Sequence, residues 1–220
     1  MKKNLFIITL LLLPTIGFGE LFLEITKGSE DSFKIAMIPF EGDTNISKQL
    51  NNIMRNDLIR TGEFFMLDEE LLLPVNIVND ELVYSDWQFL GIDYLVTGKI
   101  VKVKNSIDIS YEIFDVHKKK KLRSSKVFGI PNQIRQLAHY TSDGIYESIT
   151  GIKGIAATRL LYVNEIKNSQ LVSAYKLMLA DSDGANEKTL LSSSEPIISP
   201  SWSPDGKRVA YVSFETGIAK

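Results

Sequence analysis

The chain has 220 residues, 44% of them hydrophobic and 24% charged, the balance of an ordinary globular protein of one or two domains, which excludes a disordered tail as its bulk. Its 25 lysines and arginines stand against 27 aspartates and glutamates, a net charge of -2 that gives no overall indication of a nucleic-acid binder, since such proteins carry a clustered excess of basic side chains. It has no cysteine, so disulfides, thiolate nucleophiles and thiolate metal sites are excluded, whereas an oxidising compartment is not.

The first nineteen residues have the order of an export signal: Lys2 and Lys3, the apolar run Leu5 to Leu13, Pro14, and small Gly17 and Gly19 ahead of Glu20. The run is short for a bilayer span, which needs roughly 20 apolar residues. Cleavage after Gly19, a mature N-terminus at Glu20 and a periplasmic location are therefore expected. From there Leu21, Leu23 and Ile25 alternate with Phe22, Glu24 and Thr26, the period of a strand with one apolar face. Phe33 to Phe40 reads as a buried strand ended by Pro39 and Gly42. Ile46, Leu50, Ile53, Met54 and Leu58 follow at helical spacing up to Gly62.

Phe64 to Leu67 is a short strand, and Ser85 is placed to cap a short helix running to Leu90. Tyr94 to Val103, Ile107 to Asp115 and Leu122 to Phe128 are three strands joined by turns at Asn105 and at the lysine cluster, which predicts an antiparallel meander. Pro131 opens a second long helix carrying Ile134, Leu137, Ala138, Ile145 and Ile149, with Gly144 as its weak interior position. These elements predict an α/β domain with a mixed sheet over residues 20–153.

Helical periodicity stops at Gly151-Ile152-Lys153-Gly154, and residues 154–220 read as strand and turn. Thr158-Arg159-Leu160-Leu161-Tyr162-Val163 is echoed by Lys207-Arg208-Val209-Ala210-Tyr211-Val212. The interval falls within the 40 to 50 residues that a four-stranded propeller blade occupies. Before the second copy, Ser203-Pro204-Asp205-Gly206 has turn chemistry: Pro204 fixes φ, Asp205 can bind the turn amides and Gly206 accepts the strained position, while Trp202 is expected to fill the space between blades.

The run Trp202 to Val212 resembles the repeat of the TolB and WD40-like propellers. Ile38-Pro39-Phe40, Leu90 to Gly98, Thr150 to Gly154 and Thr158-Arg159 resemble, in the right order, the amino-terminal domain of the TolB family and its junction. The resemblance implies an α/β domain followed by the first part of a propeller, six-bladed in the complete family. Residues 154–220 supply about one blade and the opening of another, so a longer gene product is expected. It also implies a periplasmic, non-enzymatic adaptor of the Tol-Pal system without a cofactor or metal. Such an adaptor binds TolA through the segment at Glu20, Leu21, Leu23 and Ile25, and Pal, the peptidoglycan-associated lipoprotein, through the propeller. The resemblance further implies support of outer-membrane integrity, invagination during cell division and import of macromolecules such as colicins.

A rival reading is the propeller of a secreted serine peptidase, because those propellers carry similar turns; a later Gly-x-Ser-x-Gly elbow would mark it. His117, in a turn, and His139, on the second long helix, form no ligand pair or Ser-His-Asp set by spacing, and read as solvated or core histidines. Asp181 and Asp183 lack the spacing of a calcium loop and read as a β-turn. Lys118 to Lys121 read as a solvated turn, although such a cluster also attracts acidic surfaces.

Overall fold

The computed structural model describes residues 32–78, 81–167 and 173–219; the expected export signal and the strand expected from Leu21 to Ile25 lie outside these residues. The central strand β1 (Phe33–Met37) buries Ile35, Ala36 and Met37 completely or nearly so, because the sheet is covered on both faces there. It lies parallel to β2 (Phe64–Met66) on one side and to β5 (Tyr94–Val103) on the other. The strand ends at Met37, earlier than the expected Phe40, since Pro39 has no N–H for the ladder. The chain nevertheless stays beside β5, where the amides of Ile38 and Glu41 donate to the carbonyls of Val96 and Gly98.

Between β1 and β2 runs α1 (Thr44–Arg60). It begins where it does because the Asp43 carboxylate accepts from the amides of Asn45 and Ile46 at 3.0 Å, satisfying two donors of the first turn. A 67–93 excursion then forms the small hairpin β3 (Ile77–Val78) and β4 (Glu81–Leu82) and the short helix α2 (Ser85–Phe89). Ser85 is not the cap of α2. Tyr84 holds that position without a side-chain capping bond, and Ser85 is the first helical residue, its hydroxyl turned to Asp86.

The predicted meander is present as β5, β6 (Ser106–Asp115) and β7 (Lys120–Gly129), giving the sheet order β2-β1-β5-β6-β7. Only Lys118 and Lys119 of the lysine cluster lie in the turn, while Lys120 and Lys121 begin β7. Pro131 opens a single 3-10 turn to Gln133, and α3 (Ile134–Thr150) follows. Helices α1 and α3 cover one face with Leu50, Met54, Leu58, Leu137, Ala138 and Ile145 against Ile107, Ile109 and Ile113. On the other face Trp87, Leu67 and Ile92 cover Ala36 and Leu95, so the excursion after β2 is a lid on half of the sheet.

Beyond α3 every element is antiparallel. β8 (Arg159–Lys167), β9 (Ser173–Asp181) and β10 (Lys188–Ser193) form a three-stranded sheet, and β11 (Ile197–Trp202) pairs with β12 (Val209–Ser213). The α/β unit is thus followed by an all-β portion whose first strand and fifth strand carry the sequence echo.

Candidate functional site at the joint between the two units

Two predicted groups of residues bear on function, and the structure describes one of them. Glu20, Leu21, Leu23 and Ile25 lie outside the described residues. The turn at Trp202, Pro204, Asp205 and Gly206 is described, as a β11-to-β12 hairpin loop in which the Ser203 amide donates to the Arg208 carbonyl and the Gly206 amide to the Ser203 carbonyl. Gly206 has φ of 66°, a value that side chains disfavour. The Ser203 hydroxyl and the Lys207 amide both donate to the Asp205 carboxylate, at 2.5 and 3.2 Å, and hold it below the usual carboxylate range. Trp202 is half-buried, with the Arg159 guanidinium of β8 5.9 Å from its ring centre, at the seam between the three-stranded sheet and the next hairpin.

The densest polar construction lies elsewhere, where α1 and α3 meet the loop between β9 and β10. Asp57 of α1 is almost fully buried and is the acceptor for three side chains: His139 Nδ1 at 2.7 Å, the Ser142 hydroxyl at 2.9 Å and Arg60 at 2.8 Å. A carboxylate removed from water persists when charge-assisted bonds replace its hydration, and this one has all three. One turn toward the start of α3, Arg135 reaches across to the all-β unit. Its Nε donates to Asp181 at 3.0 Å and its terminal nitrogen to Asp183. Burial pushes the Asp183 carboxyl up, but the Arg135 bond and the Ala185 amide outweigh it and leave the group below its ordinary range.

The linker is fastened by a second carboxylate. Asp143 of α3 accepts from the amides of Ala156 and Ala157 at 2.7 and 3.0 Å, while the Ser182 hydroxyl donates to the Ala156 carbonyl at 2.6 Å. Gly154 is required by proximity. A Cβ there would stand 2.6 Å from the Asp143 Cα, so only glycine lets the chain pass this close to α3. The Gly151 to Gly154 break that is visible in the sequence is therefore a tightly seated joint.

Asp57, His139 and Asp183 offer ligand atoms within 4.8 Å of one another, which is metal-like spacing. The two carboxylates are already committed, Asp57 to Arg60, Ser142 and His139, and Asp183 to Arg135, while His139 Nε2 is buried without a partner among the described residues. A cation there would compete with the Arg60 and Arg135 guanidinium groups for these carboxylates, so the cluster fits a structural clamp better than a metal centre. Nor is it a nucleophilic triad, because Ser142 donates to the aspartate and not to the histidine. Of the two histidines, His139 is buried in the core, whereas exposed His117 bonds Asp93 at 2.7 Å. The turn assigned to Asp181 and Asp183 is there, but local turn chemistry did not reveal that both carboxylates reach Arg135. Those contacts join residues 46 and 48 positions apart, and no periodicity marks them.

Comparison with known proteins gives the same two units. The model of the TolB amino-terminal domain matches residues 21–122, and that of the TolB beta propeller domain matches residues 146–220. The chain is 40% identical over 198 residues to the Tol-Pal system protein TolB of Alcanivorax borkumensis, covering 90% of this chain and 45% of the relative. It is 34% identical over 220 residues to that of Hahella chejuensis, covering 98% of this chain and 51% of the relative. The crystal structure of TolB from Acinetobacter baumannii superposes with a TM-score of 0.73 at 39% identity, over 86% of this chain and 45% of that one. The chain thus spans about half the length of the curated relatives it matches. The pairing of these two domains is that of a Tol-Pal component and not of an enzyme family, which removes the peptidase reading. An α/β unit with its two long helices on one face of a mixed sheet, clamped through Arg135 and Asp143 to the first strands of a propeller, together with these matches, places the chain in the TolB family.

Proposed function

We propose that this chain is part of a periplasmic adaptor of the Tol-Pal system, which joins TolA at its N-terminal segment to Pal at its propeller and performs no bond chemistry. The observation that carries the reading is the match, in order, of both units to a family whose relatives bear the name Tol-Pal system protein TolB. In this reading residues 1–19 are a cleaved export signal, and Glu20, Leu21, Leu23 and Ile25 form a free segment that adds to a partner's sheet edge through main-chain bonds. Residues 20–153 form the α/β domain and residues 154–220 the start of the propeller. The adaptor then supports outer-membrane integrity, constriction at division and uptake of macromolecules such as colicins.

The test is capture of purified TolA and Pal by the exported protein and by a version beginning at Ser32. Loss of TolA capture in the shortened protein, with Pal capture retained by a full-length relative carrying the same deletion, is expected. Unchanged capture of TolA by the protein beginning at Ser32 removes the assignment of the segment. Sequencing the N-terminus of periplasmic material should give Glu20-Leu21-Phe22.

A further inference from the structure

The near-neutral total charge conceals a segregation. Between Lys99 and Lys126 the sequence holds nine lysines and arginines against three acidic residues, in a chain whose net charge is -2. The structure shows where that excess is displayed. By register Lys99 and Lys126 lie on the face of the meander β5-β6-β7 turned away from α1 and α3, and Lys102 and Arg123 sit in the rows of Ile107 and Ile113 on the other face. Lys120, Arg123 and Lys126 run along β7, which ends the sheet order and so has a free edge among the described residues. Lys118 and Lys121 are paired with Asp115 and Glu112. Lys99, Lys102, Lys104, Lys120, Arg123 and Lys126 are exposed and have no carboxylate partner among the described residues.

From these features we propose that the edge strand β7 and the adjoining outer face of the meander bind an extended acidic segment of another polypeptide, by strand addition. Three observations select this occupant. The first is the edge itself: β7 has ten residues, roughly 33 Å of strand, whose outward N–H and C=O groups have no protein partner among the described residues. An added strand satisfies those groups and a lipid surface does not. The second is the charge, since Lys120, Arg123 and Lys126 on one strand repel a second copy of β7 and favour a strand carrying glutamates or aspartates. The third is the apolar part of the face. Phe128 is 63% exposed and Val101 41%, and the register sets them on either side of Asp108, with Lys99, Ser110 and Lys126 in the next row. Apolar side chains interleaved with Asp108 and Ser110 suit alternating side chains of a peptide. They do not make the continuous apolar patch that inserting into a bilayer requires.

This surface shares no residue with the joint or with the Glu20 to Thr26 segment, so its test does not depend on the adaptor reading. The probe is a labelled ten-residue peptide alternating glutamate with valine and threonine. Its control replaces every glutamate by lysine. Fluorescence anisotropy at low and moderate salt should show saturable binding of the acidic peptide, weakened by salt, and none of the basic one. Hydrogen exchange should show new protection at alternate amides of β7. The double variant Lys120→Glu, Lys126→Glu, at two exposed positions without partners, should keep the circular dichroism of the parent and bind the acidic peptide at least tenfold more weakly. Phe128→Ser should weaken it without changing the salt dependence. Equal binding of both peptides, unchanged affinity in the double variant, or absence of new protection in β7 overturns the proposal. So does capture by phosphatidylglycerol vesicles without peptide binding, or self-association of the protein through β7.

Discussion

Asp57 illustrates how much a single buried carboxylate can organise: one oxygen pair receives an imidazole, a hydroxyl and a guanidinium from α1 and α3, and so ties the two helices that cover the sheet. Replacing it by alanine leaves the buried His139 Nδ1 without its acceptor, an orphan that costs about 1–3 kcal/mol, while the Ser142 hydroxyl keeps only the Ala138 carbonyl. Asp57→Ala should therefore lower the unfolding free energy by about 3 kcal/mol in urea titrations, whereas Arg60→Ala, at a half-exposed position, should cost below about 1 kcal/mol. Equal losses would show that the buried hub has no special weight. A second residue-scale prediction concerns Gly144, which sequence propensity marks only as a weak point of α3. A Cβ there would collide with the Tyr111 hydroxyl of β6, so the glycine exists to let α3 lie on the sheet. Gly144→Ala, a change that favours an isolated helix, should destabilise the protein by about 1–3 kcal/mol through overpacking. Adding Tyr111→Phe removes the colliding oxygen and should recover part of the loss, which a double-mutant cycle measures. The Pro204-Asp205-Gly206 turn was legible because its bonds run between residues a few positions apart. Asp57 was not, because its partners His139 and Ser142 lie 82 and 85 positions away and no local pattern announces them.

The element that decides the relation of the two units is α3, whose first turns hold Arg135 and whose middle holds Asp143, both on the side facing the β8 to β10 sheet. Arg135→Gln should loosen that contact at neutral pH by about 1–3 kcal/mol, seen as faster exchange of the Ala156, Ala157 and Ser182 amides. The pH dependence has a definite sign. Asp183 has a lower pKa in the folded joint than in the unfolded chain, so its contribution is fully present above the ordinary carboxylate value of about 4 and is lost as pH falls through the lower, folded value. The difference between the parent and Arg135→Gln should be constant from pH 8 to about 5 and shrink on further acidification. A difference that grows toward low pH would show that another group controls the contact. At this scale the sequence was informative for long periodic elements: α1, α3, β5 and β6 follow directly from their apolar spacing. Two errors have local causes. Pro39 interrupts a run that is apolar from Ile35 to Phe40 and still hugs β5, and Ser85 is preceded by Tyr84, whose backbone starts α2 without a side-chain capping bond.

In the whole molecule the apolar interior is unevenly shared. Both clusters of buried hydrophobic residues draw only on residues before Gly151, from Phe33 in β1 to Ile149 in α3. The all-β unit buries Leu177, Met178, Ala180 and Ile197 but leaves Ile155, Leu160, Leu190, Ile198 and Tyr211 exposed by 39% to 72%. The echo of β8 in β12 made the repeat visible in advance. What it did not show is that both copies are edge strands among the described residues, β8 with only β9 beside it and β12 with only β11. Stability in this 220-residue chain should follow the buried area, since apolar burial contributes about 25 cal/mol per Å² and edge strands with exposed side chains collect little of it. Native-state hydrogen exchange in rising urea should therefore find two cooperative units. The amides of β8 to β12 should open first and at similar free energies, and those of α1, β5, β6 and α3 only at the global transition. Near-ultraviolet dichroism from Trp202 should change with the first step and that from Trp87, buried beside Leu95, with the second. The Trp87→Phe and Trp202→Phe variants assign those signals. A single transition with equal protection in both units would mean that the clamp through Arg135 and Asp143 couples them more tightly than their separate cores imply.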